Sequence, residues 1–190
     1  MSDEIRDLIQ GCAVSPEAVA ALESAGAGYE MPLVCRRRLE GPAIEALRHR
    51  PAGALFPGAF SPEGALAGLW LYVQDFDECH RAAQDLASAE GSYWHGILHR
   101  QEPDDWNAGY WFRGTGPHPI HEELLREAKE LARKHADAHW QPGSRWDAED
   151  FIRFCARARR EPGSGAERLA RAVQMAEWRL LFRWCARVRG

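Results

Sequence analysis

Residues 61–88 read SPEGALAGLWLYVQDFDECHRAAQDLAS, and the spacing of apolar residues in this run decides the fold class. Ser61-Pro62-Glu63 is a helix start, with Ser as N-cap, Pro at the first position and an acid in the first turn. At 100° per residue, Leu66, Leu69, Trp70, Tyr72, Val73, Phe76, Cys79 and Ala83 fall on one broad arc, which predicts a single long helix to about Ser88. His80 lies inside that arc, Asp77 at its edge, and Asp75, Glu78 and Asp85 point away.

Working outward, the same logic predicts helices from Pro16 to near Gly26, from Pro42 to about Arg50, and from Ser92 to Gln101. Others follow from Pro103 to about Arg113, from Pro119 to about His135, from Asp147 to Arg159, and from 165 to 188. Pro/Gly-rich stretches separate them, including 51–64, 114–117, 141–144 and 161–165. Alternating strand patterns are nearly absent, and Val and Ile are few. The expectation is an all-α, single-domain helical bundle over residues 1–190, with about seven or eight helices and short Pro/Gly turns.

The chain has 190 residues, 45% of them hydrophobic and 27% charged, which suits a folded domain rather than a disordered one. A net charge of −4 offers no general field for nucleic acid or an acidic membrane surface, so neither partner is expected. The five cysteines are scattered, with no C-x-x-C, and read as small buried residues. The acidic start MSDEIRDLIQGC is unlike a signal peptide, and no apolar run reaches the length of a membrane span. A cytoplasmic location is expected.

The chemistry concentrates in residues 92–113, SYWHGILHRQEPDDWNAGYWFR. On a helix, His95, His99 and Glu102 lie within a wedge of roughly 60°, beside an apolar arc of Tyr93, Trp94, Ile97 and Leu98. H-x-x-x-H on one face lets two imidazoles reach one ion. It is not the zincin H-E-x-x-H, because Gly96 stands where the catalytic Glu would be. A second pair, His135 and His139, lies at a helix end and is expected to be exposed. His80 adds a third imidazole on an apolar face. Three imidazoles and a carboxylate from two helices would suit Zn, Fe, Mn or Ni.

In the helix after Pro103, Trp106, Tyr110, Trp111 and Phe112 point in most directions, which predicts that protein surrounds it. Arg113 and His118 flank a Gly-Thr-Gly-Pro turn and could fix an anionic group, although no phosphate-loop motif is present. His121 falls on the apolar side of its own helix. In the closing helix, Arg168, Arg179 and Arg183 form a stripe best read as solvated or ion-paired.

The run YWHGILHRQEPDDWNAGYWFRGTGPHP, 93–119, resembles an uncharacterised bacterial and fungal protein family with the pattern Y-W-H-x-I-x-H-R-x-E-P-D-x-x-N-A-x-Y-W-F-R-x-x-G-x-H-P. The likeness extends to the Asp75–His80 region. That family carries no assigned activity, so the resemblance implies a shared site without naming its chemistry. The His plus H-x-x-x-H spacing is also similar to that of helical-bundle metalloproteins such as the DinB-like group.

Three functions fit. In a metal-dependent enzyme acting on a small polar or anionic molecule, His80, His95 and His99 would be ligands, and Glu102 or Asp77 a further ligand or proton acceptor. Asn107, Arg113, His118, Trp94 and Trp111 would bind and enclose that molecule. The same residues could instead form a metal-free anion site, or the histidines could be core residues of a helical interaction module.

Overall fold

The computed structural model describes residues 2–35 and 37–189. These form eleven α-helices and no strand; the only β pairings are two isolated bridges, Cys12 with Arg187 and Ala59 with Val188. The helices are α1 (Asp3–Ile9), α2 (Pro16–Glu23), α3 (Pro42–Leu47), α4 (Ala52–Leu55), α5 (Pro62–Tyr72), α6 (Phe76–Gln84), α7 (Ala89–Gln101), α8 (Asp105–Thr115), α9 (His121–Lys134), α10 (Ala148–Ala158) and α11 (Gly165–Ala186). A short 3₁₀ turn covers Ala136–Ala138. The all-α expectation therefore holds, with more helices than the seven or eight expected. The additions are α1, α4 inside the supposed loop 51–64, and a division of the long helix.

That division corrects the opening reading. The 61–88 run is two helices, because the chain turns at Gln74, whose φ of 62° no α-helix contains. Asp75 then caps α6, its carboxylate accepting the Glu78 N–H. Asp75 does not point away. It is buried and ion-paired to Arg48, whose other nitrogen bonds Glu78 at 2.6 Å.

Elsewhere local capping sets the starts. Ser15, Ser88, Asp104, Asp147 and Ser164 each accept the N–H three residues on. The α7 helix thus begins at Ala89, a turn before the Ser92 expected.

The long α11 runs through both parts of the core. Trp178, Leu181, Phe182 and Cys185 pack with α5 and α7, while Leu169, Ala170 and Val173 pack with α9 and α10. Of its arginine stripe, Arg179 pairs with Glu127 and Arg168 with Asp137, while Arg183 donates to the Gln10 carbonyl. No helix among the described residues is long and apolar enough to cross a membrane.

Two glycines let the site-bearing helices come close. A Cβ on Gly96 would lie 2.8 Å from Phe112, so Gly96 admits α8 against α7. A Cβ on Gly68 would lie 2.6 Å from Trp94, which places the Trp94 indole on α5 in the core. At position 96 the requirement is therefore for space rather than for a catalytic carboxylate.

Candidate functional site

Helices α6 and α7 bring His80, His95 and His99 into contact. Ring centres are 4.8 Å apart for His80 and His95, 5.8 Å for His80 and His99, and 6.1 Å for His95 and His99. The i,i+4 spacing on α7 stacks the last pair within 20°, and His80 meets both edge-on.

Hydrogen bonds fix two of the rings. His95 Nδ1 lies 3.1 Å from the Gly91 carbonyl, which only accepts, so Nδ1 carries the proton. Its Nε2 is then a bare acceptor, fully buried and without a hydrogen-bond partner among the described residues. Burial, foremost, and the neighbouring His80 and His99 lower the His95 pKa to about 4, against the raising effect of the Gly91 carbonyl. This imidazole is neutral at physiological pH. His99 Nδ1 lies 2.9 Å from a Glu102 carboxylate oxygen, and Asn107 Nδ2 lies 3.3 Å from its Nε2. His80 is half-buried, and its ring has no hydrogen-bond partner among the described residues.

Trp111 closes one side, stacked on His95 at 4.0 Å and within 12°. His99 is buried, but Asn107 and Trp111 beside it are half-buried and Glu102 is exposed, so the cluster lies just under the surface along the α7–α8 edge. As the side chains stand, no group of three or more His, Cys, Asp or Glu among the described residues is placed to hold a metal ion. The rings touch through faces and edges.

The other expected residues scatter. Asp77 is exposed in the first turn of α6, and Glu102 is the carboxylate that bonds an imidazole. Trp94 is a core residue rather than a wall of this cluster. Arg113 pairs with Glu149 across to α10 at 2.8 Å and borders a separate cleft of about 490 Å³ with His121 and Arg145.

His118 does not join Arg113. It is buried, with Nε2 3.8 Å from Glu90, and its Nδ1 accepts the Ile120 N–H. The nearby His118 ring foremost, and the Trp184 indole, which donates to Glu90 at 2.9 Å, hold the Glu90 carboxyl far below the usual range against the opposing effect of burial. His121 turns inward as expected, against His118 and Tyr93, with its Nδ1 accepting the His118 N–H.

Some features escaped the sequence reading. Protein does not surround α8: Trp106 is 76% and Tyr110 55% exposed. Arg100 and Glu177 form a wholly buried ion pair at 2.5 Å, with Tyr93 donating its hydroxyl proton to Glu177. An Arg at the foot of a buried helical face was the available signal, since such a charge requires a partner. The carbonyl of Gly91, four residues before His95, carried no signal in residue type.

No family model matches the chain, and neither a curated protein nor a solved structure matches it.

Proposed function

We propose that His80, His95 and His99 hold a divalent metal ion, and that this centre acts on a small polar or anionic molecule. The observation that carries the reading is the buried, partnerless Nε2 of His95. An unsatisfied buried acceptor costs about 1–3 kcal/mol, and an ion would satisfy it. Two further features support it. A ligand imidazole commonly donates its other N–H to a carbonyl or carboxylate, as His95 does to Gly91 and His99 to Glu102. Ring separations of 4.8–6.1 Å also suit imidazoles around one ion, which with Zn–N near 2.0–2.1 Å would set ring centres roughly 5 Å apart.

The edge-on ring packing is compatible with this reading, because the torsion that turns an imidazole is broad and two-fold. His80, with no hydrogen bond to break, turns most readily. His99 would exchange its contact with the Asn107 amide for the metal. Glu102 is then a positioning residue behind His99. Three imidazoles would leave coordination positions open, as in catalytic rather than structural sites, and a metal there would polarise a bound oxygen or activate water. The resemblance of residues 93–119 to the uncharacterised family supports a shared site and leaves the reaction unnamed.

Elemental analysis of the purified protein, with melting before and after chelation, tests the proposal. Near-stoichiometric Zn, Fe, Mn or Ni is expected, with melting lowered by chelation and the metal lost in His95→Asn. No bound metal, and melting indifferent to chelator and to each added ion, overturns it.

A further inference from the structure

Beyond Trp111 the ring contacts continue outward. Tyr110 lies 5.5 Å from Trp111 and nearly perpendicular to it, and Trp106 lies 6.3 Å from Tyr110 with planes within 15°. Helical spacing sets the order. Asn107 and Trp111 share the arc that faces the histidines, Tyr110 follows, and Trp106 lies beyond it. His95, Trp111, Tyr110 and Trp106 thus form an unbroken train of rings from the buried imidazole to open solvent.

Exposure of this kind is rare in the molecule. Among the described residues the other large exposed apolar side chains are Phe60 and Val188, which belong to the paired segments near the chain end. Beside Trp106 runs a groove of about 300 Å³, bounded by Gly109 and by Ile152 and Arg153 of α10.

We propose that Trp106 and Tyr110 form a platform for the planar ring of an aromatic or heteroaromatic small molecule. Trp111 stands between this platform and His95, so the platform is independent of the metal-centre reading. Two rings on one helical turn are far smaller than the roughly 800 Å² per partner of a stable protein interface. The bordering charges are of both signs, with Arg113 paired to Glu149 and Arg153 to Asp150, so no net field draws a phosphate backbone. An indole and a phenol ring with free faces attract another π-face, with geometry that a puckered ring cannot match.

Saturation-transfer NMR with benzamide and cyclohexanecarboxamide tests the platform, since the two carry the same amide on a flat and a puckered ring. Benzamide should bind more tightly. Trp106→Ala and Tyr110→Ala, both at exposed positions, should each weaken it by about tenfold, in line with single aromatic stacking contacts. Equal response to the two amides, or benzamide binding unchanged in both variants, overturns the proposal. Repeating the titration on chelated protein and on His95→Asn separates the two readings. Absence of metal with benzamide binding retained removes the metal centre alone, while bound metal without ring preference removes the platform alone.

Discussion

His95 and Trp111 lie face to face across the α7–α8 contact, 4.0 Å between ring centres and 12° from parallel. With Gly91 holding Nδ1 and Trp111 covering one face, His95 is held in place, and its bare Nε2 is buried away from water.

Trp111→Ala should release that clamp. The loss of the stack, about 0.5–1.5 kcal/mol beyond lost burial, should appear as a lower denaturant midpoint. Trp111→Phe should recover much of it. If Trp111→Ala unfolds at the wild-type midpoint, the stack is not stabilising.

The first residue of α9, His121, gives a pH dependence. Burial, with His118 second, lowers the His121 pKa to about 4, whereas in the unfolded chain it titrates near 6.5. Between those values the unfolded state binds a proton that the fold refuses, so His121 makes stability fall as pH drops from about 6.5 towards 4. Above pH 7 its contribution is flat. His121→Asn keeps an acceptor for the His118 N–H without titrating, and should flatten the slope of the urea midpoint between pH 6.5 and 5. An equal slope in the variant would refute the assignment.

Arg100 and Glu177 are both without solvent exposure, and Arg100 also lies over the Phe151 ring at 4.6 Å. Glu177→Gln leaves a buried guanidinium without its countercharge and should cost about 3–5 kcal/mol. Combining Arg100→Met with Glu177→Leu should cost much less than the sum of the single changes. Additive losses in the unfolding free energies would show that the two charges are not coupled.

Gly96→Ala reverses the usual effect of alanine in a helix. Propensity favours it by about 1 kcal/mol, but the Cβ would meet Phe112 at 2.8 Å, and overpacking of this kind costs about 1–3 kcal/mol. A net loss of stability is expected, with Phe112→Leu partly restoring it. A stabilised Gly96→Ala protein would mean that α8 yields freely.

Much of the helical framework was readable because its signals are local. Ser15, Asp147 and Ser164 cap helices through bonds that span three residues, so nearby sequence suffices to place them. The break at Gln74 was not readable in the same way. No Pro or Gly marks it, and the Gln74 amide donates to Leu71 and, across the fold, to Gln101, both buried partners. Asp75 followed by Glu78 was the one local hint of a new start, outweighed by a continuous apolar period.

The candidate site divides along the same line. By itself the sequence determined that His95 and His99 share a helical face with Glu102 close by, because 3.6 residues per turn dictates it. Only the tertiary structure decided that His80 meets them from a separate helix, that Trp94 and His118 belong to other surroundings, and that Trp106 and Tyr110 face water. Those outcomes depend on which faces exclude solvent together and how closely helices approach. Burial between distant segments sets both, and no local hydrogen bond encodes it.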